Sequence, residues 1–395
     1  MTPAPAGGPS GLVLGLLAGE PSGDVLGAGL MAALRARCPD VRFVGVGGPQ
    51  MTAQGLQSLV PLQRMSVHGF VDPLLRLPSL LRVFLTVRRA VRAAGAHAFI
   101  GIDFNVFNLL LERSLRKAGT RTVHYVSPSV YAWRRGRVHR VARATDLLLT
   151  LFPFEPPLYA AAGARAVFVG HPLADELRPG DAVAARAALD VTGSPVVALL
   201  PGSRRSEVRL MGATFVEAAA CLLATHPHAH FVVPCVNPVV RALMQACVAG
   251  SAIAGRVTLL DGQSRLAMTA ADAVLVKSGT GTLEALLLER PMVVAYRLGA
   301  VTAAIVRRLL RTPFVALPNI LAGRRVVPEL LQEDATPDAL AAALAGVLAA
   351  PAASRDLLRD IAGSLRRDAS ARAADAVLAL LAAQPGAGAA QGDAR

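Results

Sequence analysis

Only 4% of the 395 residues are aromatic, and Trp133 is the single tryptophan. A general binder of single-stranded nucleic acid needs a succession of stacking rings, so this scarcity argues against that class. No zinc-finger, homeodomain or RNA-recognition pattern is present either, and no nucleic-acid partner is expected. Cysteine is equally sparse. Cys38, Cys221, Cys235 and Cys247 lack C-x-x-C spacing and sit in largely apolar surroundings, as reduced core residues do. No apolar run reaches the ~18–20 residues of a membrane-spanning helix. The longest candidate, Ala339–Ala353, contains Gly346 and is broken by Pro351. Nothing basic precedes Leu12–Leu17, so the start does not read as a secretory signal and a cytoplasmic location is expected. Walker A and G-x-S-x-G patterns are missing, as is an Asp-x-Asp pair for a nucleotide-bound metal. Acid is in short supply: 27 acidic residues face 41 basic ones, a net charge of +14. That balance favours polyanions, among them nucleic acid, anionic lipid headgroups and phosphorylated substrates.

What the chain does have is apolar material, 53% of its residues, arranged in a regular alternation. Leu12–Ala18 reads as a strand, GEPSGD as a turn, and Val25–Arg37 as a helix with Leu26, Leu30 and Leu34 on one face. Strands follow at Arg42–Val46, Ala98–Ile102, Thr122–Val126, Leu147–Leu151 and Val167–Val169, with a helix over Phe107–Lys117. After a Pro- and Gly-punctuated linker around His171–Pro195, a second series begins with strand Val196–Leu200 and helix Ser206–Ala224. It continues with strands at Phe231–Val233, Val257–Leu259, Ala273–Val276 and Met292–Ala295. Alternation of this kind implies parallel sheets, hence two doubly wound α/β domains with a cleft between them. Residues 11–175 form the first domain and 195–350 the second. Helices over 351–383 are expected to return to the first domain, and 1–10 and 384–395 read as disordered.

Several strand-to-helix turns carry chemistry. Lys277–Arg297, KSGTGTLEALLLERPMVVAYR, is strand, Ser-Gly-Thr-Gly turn, helix and strand, a βαβ half-unit of the kind that binds ligands. Glu284 near its helix start either accepts ribose-like hydroxyls or belongs to a capping box. In the first turn Glu20 could meet a ligand hydroxyl, and Ser22 or Asp24 could simply cap the helix. GIDFN ends a buried strand with Asp103, placed to act as a general base, while Asn105 could cap the next helix. HYVSPSVYAWR holds Tyr131 and Trp133, followed by Arg134, Arg135, Arg137 and Arg140, which also fit a solvated basic helix. In LPGSRRSE, Gly202, Ser203 and Arg204 open a helix where backbone N–H groups, the helix dipole and a guanidinium converge, a diphosphate site or a capped turn. His226, His228 and His230 alternate at a strand entry, but no cysteine or carboxylate accompanies them as a metal ligand.

Taken together these blocks resemble lipid-A-disaccharide synthases, bacterial inverting glycosyltransferases of the GT-B class. The blocks are AGEPSGDVLGAGL, FVGVGGPQM, GIDFNVFNLLLE, HYVSPSVYAWR, GRVHRVARATDLLLTLFPFE, FVGHPL, LLPGSRRSEV, SGTGTLEALLLERPMVVAYR and LPNILAGRRVVPELLQ, in the family's order. The resemblance implies two Rossmann-like domains, and with no Asp-x-Asp pair a metal-free reaction without a cofactor is expected. It implies transfer of 2,3-diacylglucosamine from its UDP donor to 2,3-diacylglucosamine 1-phosphate, giving the β-1′,6-linked disaccharide and UDP. By motif, Asp103 and Arg204 take the places of the family's essential carboxylate and arginine, with Glu20 beside the sugar. Gly202, Ser203, Ser278, Gly279, Thr280 and Glu284 fall at the UDP-contacting positions, and Arg297 and Asn319 in motifs lining the same cleft. Where the family reads G-I-D-A-P-D-F-N, Val106 replaces the second acid here, and Tyr131 stands where Trp is frequent. Acylated substrates imply an anionic membrane surface as partner, approached through residues 68–94. There Leu80, Val83, Phe84, Val87 and Val91 form a core stripe, with Leu81 and Leu85 off it beside Arg88 and Arg92. Phe70, Val71, Leu74, Leu75 and Leu77 add apolar surface upstream. A homo-oligomer is left open. The competing readings are a UDP-N-acetylglucosamine 2-epimerase, an undecaprenyl-linked N-acetylglucosaminyl transferase, or a non-catalytic basic protein of the membrane surface.

Overall fold

The computed structural model describes residues 11–65, 73–128, 137–299 and 313–383, with only the backbone of 73–77. The leader, the tail, Phe70, Val71, Tyr131, Trp133, Arg134 and Arg135 lie outside the described residues, as do the side chains of Leu74, Leu75 and Leu77. Two compact units divide the chain: residues 1–172 with 366–395, and residues 173–365.

The first unit is built on seven strands: β1 (Val13–Ala18), β2 (Arg42–Val46), β3 (Leu56–Ser58), β4 (Ala98–Ile102), β5 (Arg121–Tyr125), β6 (Leu147–Thr150) and β7 (Ala166–Phe168). They pair in parallel in the order β3-β2-β1-β4-β5-β6-β7. Its helices are α1 (Pro21–Arg37), α2 (Pro49–Ala53), α3 (Pro73–Ala93), α4 (Asn105–Arg116), α5 (Val138–Ala144) and α6 (Glu155–Ala160). A parallel sheet needs cover on both faces, which is why β1 is buried at all six positions. Leu14 and Leu16 pack against α1 residues Leu30, Met31 and Leu34 on one side, and Leu17 packs with α3 residues Val83, Val87 and Val91 on the other.

In the second unit six parallel strands run in the order β10-β9-β8-β11-β12-β13. They are β8 (Val196–Leu200), β9 (His230–Cys235), β10 (Val257–Asp261), β11 (Ala273–Lys277), β12 (Met292–Tyr296) and β13 (Glu329–Leu331). The helices are α7 (Pro172–Glu176), which begins at the junction, α8 (Ala182–Ala188), α9 (Arg205–Leu222), α10 (Pro238–Val248), α11 (Ser264–Ala270), α12 (Thr280–Leu287), α13 (Leu317–Ala322), α14 (Pro337–Ala349) and α15 (Pro351–Leu365). A last helix, α16 (Ala369–Ala382), belongs to the first unit.

Strand order reverses between β1 and β4, and again between β8 and β11. At such switch points neighbouring crossovers leave on opposite faces and open a crevice at the carboxyl ends of the strands. Ala18 pairs with Ile102 there in the first sheet, and Leu200 with Val276 in the second. Glu20 and Asp103 therefore leave one switch point, while Gly202 and Ser278 leave the other.

Four expectations change. GEPSGD is not a turn. Helix α1 starts at Pro21, whose fixed φ suits the first helical position, with Glu20 as the extended N-cap. Asp24 caps a different helix, accepting N–H bonds from Gly48, Gln50 and Met51 at 2.7–3.0 Å at the start of α2. The linker around His171–Pro195 holds α7 and α8. Finally, residues 351–383 divide. Helix α15 stays in the second unit, and α16 alone joins the first, burying Ala373, Val377 and Leu380 in the α1 core and pairing Asp375 with Arg37.

Candidate functional site

At the second switch point lies a cavity of about 320 Å³. Its walls come from the β8–α9 turn (Gly202, Ser203, Arg204), the β11–α12 turn (Ser278, Gly279, Thr280) and Glu284. Gly202 sits at φ +137, and a Cβ there would stand 2.5 Å from Glu207 Cβ, so only glycine lets the chain pass this close to α9. Arg204 is the N-cap of the 18-residue α9, and its side chain is 81% exposed, a cation held toward solvent.

The backbone amides of this turn are already engaged. Glu207 Oε2 accepts the N–H bonds of Ser203 (3.0 Å) and Arg204 (3.2 Å), and Oε1 accepts from Lys277 Nζ at 3.0 Å. Burial alone would raise the Glu207 carboxyl, but the Lys277 bond and the two amides outweigh it and hold the carboxyl below its usual range. The sequence reading offered those amides to a diphosphate. In the structure Arg204 and Lys277 are the cations that line the cavity among the described residues. Lys277 and Glu207 were missed by motif reasoning. A lysine as the last residue of an otherwise apolar strand was the available signal; in the structure it lies over the Tyr296 ring at 4.9 Å.

Glu284 does not cap. Helix α12 starts at Thr280 behind Gly279, with no side-chain cap, so Glu284 lies beyond the third helical position. Its carboxylate instead pairs with Arg265 Nε at 3.1 Å on the cavity wall. Ser278 Oγ donates to Val315 O at 3.3 Å.

The first switch point is chemically different. Asp103 directly follows β4 and takes the left-handed backbone region (φ +48), as does Phe104 (φ +45). A non-glycine pair in that region is strained, and here the carbonyls of Ile102 and Asp103 accept from Asn108 Nδ2 at 3.3 and 2.8 Å, pinning the turn. Asp103, Asn105 and Glu20 share a cavity of about 690 Å³ whose other walls are Leu80, Leu81, Phe84, Phe104, Val106, Phe107 and Leu110. The rings of Phe84 and Phe104 both pack on Phe107, with centroids 5.9 and 5.7 Å away. Asn105 is the first residue of α4 and caps nothing; its amide donates to Asp103 Oδ1 at 2.9 Å.

Two expected residues join neither cavity. Asn319 is fully buried, with Oδ1 accepting from Val326 and Val327 N–H and Nδ2 donating to Val327 O and Glu329. Arg297 spends its guanidinium on Gln332 O, Ala335 O and Thr214 Oγ1. Both hold the frame of the second unit together. His230 bonds Thr258, His226 bonds Thr225, and among the described residues no cluster of three metal-ligating side chains occurs.

Residues 14–379 match the family model for lipid-A-disaccharide synthetase. The chain is 52% identical to a lipid-A-disaccharide synthase of Pseudomonas putida, over 94% of this chain and 98% of the relative. Identity to the corresponding protein of Azotobacter vinelandii is 53%, over 93% and 98%. In fold it is similar to the UDP-GlcNAc 2-epimerase of Neisseria meningitidis, solved bound to UDP-GlcNAc, with a TM-score of 0.59 at 12% identity and coverage of 94% and 98%.

Proposed function

This chain belongs to the lipid-A-disaccharide synthetase family and is a glycosyltransferase of GT-B fold, and on that footing we propose the substrates and the residues that act on them. The donor is UDP-2,3-diacylglucosamine and the acceptor 2,3-diacylglucosamine 1-phosphate. Asp103 takes the proton from the acceptor's 6-hydroxyl as that oxygen attacks the anomeric carbon, and UDP departs from the opposite face. Arg204 and Lys277 offset the negative charge that gathers on the leaving diphosphate. Glu284 accepts the ribose hydroxyls. Glu20 lines the acceptor cavity beside Asp103.

The observation that carries this reading is the company Asp103 keeps. A carboxylate at a strand end, opening on an apolar cavity of about 690 Å³ lined by three phenylalanines, suits an acceptor that brings an acyl chain beside its hydroxyl. An epimerase of a soluble sugar nucleotide has no use for such a wall. Incubation of the protein with both acylated substrates, followed by mass spectrometry, should give the disaccharide 1-phosphate and UDP. Conversion of UDP-N-acetylglucosamine instead would refute the acylated-substrate assignment.

Acylated substrates bring the enzyme to a bilayer. No single helix among the described residues is long and apolar enough to cross one. Helix α3 buries Val83, Val87 and Val91 and leaves Leu81 (58%) and Leu85 (36%) exposed, with Arg92 exposed further along. Apolar side chains beside arginines are the device by which an interfacial helix holds anionic lipid, and peripheral membrane association follows from it.

A further inference from the structure

Behind Asp103 a chain of four side chains runs into the core. Asp103 Oδ1 accepts from Asn105 Nδ2 (2.9 Å), Asn105 Oδ1 faces His124 Nε2 (3.1 Å), and His124 Nδ1 meets Glu112 Oε1 (2.8 Å). The last two side chains have no exposed surface. Buried titratable pairs are costly unless their geometry is used, and the reaction as described above makes no use of this one. The fold makes room for it all the same. A Cβ on Gly101, in the middle of β4's register with His124, would stand 2.1 Å from Glu112 Oε1.

The hydrogens on this chain are determined by its two ends. Asp103 must be a carboxylate to act as a base, so it accepts, and the Asn105 amide has to turn its NH₂ toward it. The amide oxygen then faces His124, and Nε2 has to carry a hydrogen. Two states of the buried pair satisfy that requirement: a Glu112 carboxylate with an imidazolium, or a Glu112 carboxylic acid donating to Nδ1 of a neutral ring. They hold the same number of protons. Burial pushes the Glu112 carboxyl up, opposed by His124, which favours the second state. In the one excluded state, a bare Nε2, the amide would reverse and set its oxygen against the Asp103 carboxylate.

We propose that Glu112, His124 and Asn105 are positioning residues for the base: Glu112 holds a hydrogen on His124 Nε2, which fixes the Asn105 amide, which in turn clamps Asp103 Oδ1 and leaves Oδ2 for the acceptor's proton. This rests on Asp103 being the base. It also accounts for a departure from G-I-D-A-P-D-F-N. Asn105 stands where that pattern has proline, which has no side-chain donor, and Val106 stands where it has the second acid. In this chain a side-chain donor held from the core stands beside Asp103 Oδ1 at the position where that pattern has none.

The test compares Asp103→Asn, Asn105→Leu, His124→Gln and His124→Asn in the full chain, reading kcat, KM for the acceptor, and UDP affinity. A glutamine amide can place an N–H near the Nε2 position, whereas asparagine reaches only the Nδ1 side. Expected is a loss in kcat of about tenfold or more for Asn105→Leu and His124→Asn, smaller than that for Asp103→Asn, with acceptor KM and UDP affinity within about twofold. His124→Gln should recover most of kcat. Asn105→Leu at wild-type kcat, or equal damage from both His124 variants, overturns the clamp while Asp103→Asn still reports on the base. Should the His124 variants fail to fold, ¹⁵N NMR of the His124 ring in the wild-type protein decides. A protonated Nε2 supports the proposal and a bare Nε2 overturns it, whatever Asp103→Asn does to turnover.

Discussion

Glu155→Gln should make the protein more stable at pH 8.5 and change it little near pH 4. Glu155 opens α6 and is 3% exposed. Its Oε2 accepts the Phe152 N–H at 3.0 Å, beside a buried bond between Ser127 Oγ and Tyr159 Oη at 2.7 Å. Burial raises the carboxyl from an ordinary 4.5 to about 7, and bonds from Phe152, Ser127 and Leu151 recover only part of the cost. The sign follows from proton counting. Between pH 4.5 and about 7 the folded chain holds a proton on Glu155 that the unfolded chain has released, so stability falls as pH rises through that window and stays low above it. The gap corresponds to about 3 kcal/mol, an upper bound for what an uncharged glutamine returns at high pH. Because glutamine keeps the acceptor for Phe152 N–H, about 1–3 kcal/mol is expected at pH 8.5. Chemical denaturation of both proteins at pH 4 and 8.5, monitored by a probe in the first unit, measures the difference. A gain of equal size at both pH values, or none at pH 8.5, would refute the reasoning.

Arg204→Ala should lower turnover by about 10²-fold, because a cation is removed where leaving-group charge develops; steady-state kinetics at saturating substrate checks this, and unchanged kcat would take Arg204 out of the site. Glu284→Gln should weaken UDP binding by about tenfold in a calorimetric titration, since it removes a charged acceptor and releases Arg265. Unaltered affinity would return Glu284 to a merely structural part. Leu81→Ser together with Leu85→Ser should cut sedimentation with anionic vesicles by about tenfold, from the apolar area lost, while UDP affinity stays constant. Vesicle binding that ignores both changes would move the bilayer contact to another face.

The architecture was legible because its signals are long and repeated. Fully buried parallel strands must be runs of apolar residues, and β1, β4, β8 and β11 announce themselves in that way. Strands β3 and β13 were invisible because LQS and ELL are too short and too polar to form an apolar run, whereas the equally short edge strand β7 lies in the apolar stretch Ala166–Val169. Asp103 lines one cavity and Arg204 and Glu284 the other, each brought there by a strand-to-helix turn whose motif is contiguous in sequence. Asn319 and Arg297 line neither cavity, because their side chains are taken up by partners at 326–329, 214 and 332–335 that the motifs alone do not name. Lys277 was hidden by ambiguity of another kind. A cation at a strand end reads as a solvated terminus until the cavity and the Glu207 pair are seen around it.

The same topological rule places both cavities, so their difference lies entirely in the side chains the two turns carry. At the β1–β4 crevice the polar groups are acids and an amide, and the wall is aromatic and aliphatic. A diphosphate there would meet Glu20 and Asp103 as like charges and strand its own charge against phenylalanine. At the β8–β11 crevice, glycine, serine and threonine leave room and hydroxyls, and Arg204 and Lys277 supply the positive charge. An acyl chain there would leave those cations without a partner. The net charge of +14 does not make this distinction, since among the described residues only Arg204 and Lys277, of many basic residues, line the second cavity. Attraction of an anion to the protein is a property of the whole surface, whereas discrimination between a nucleotide and an acyl chain would fall to the few side chains that line each strand switch.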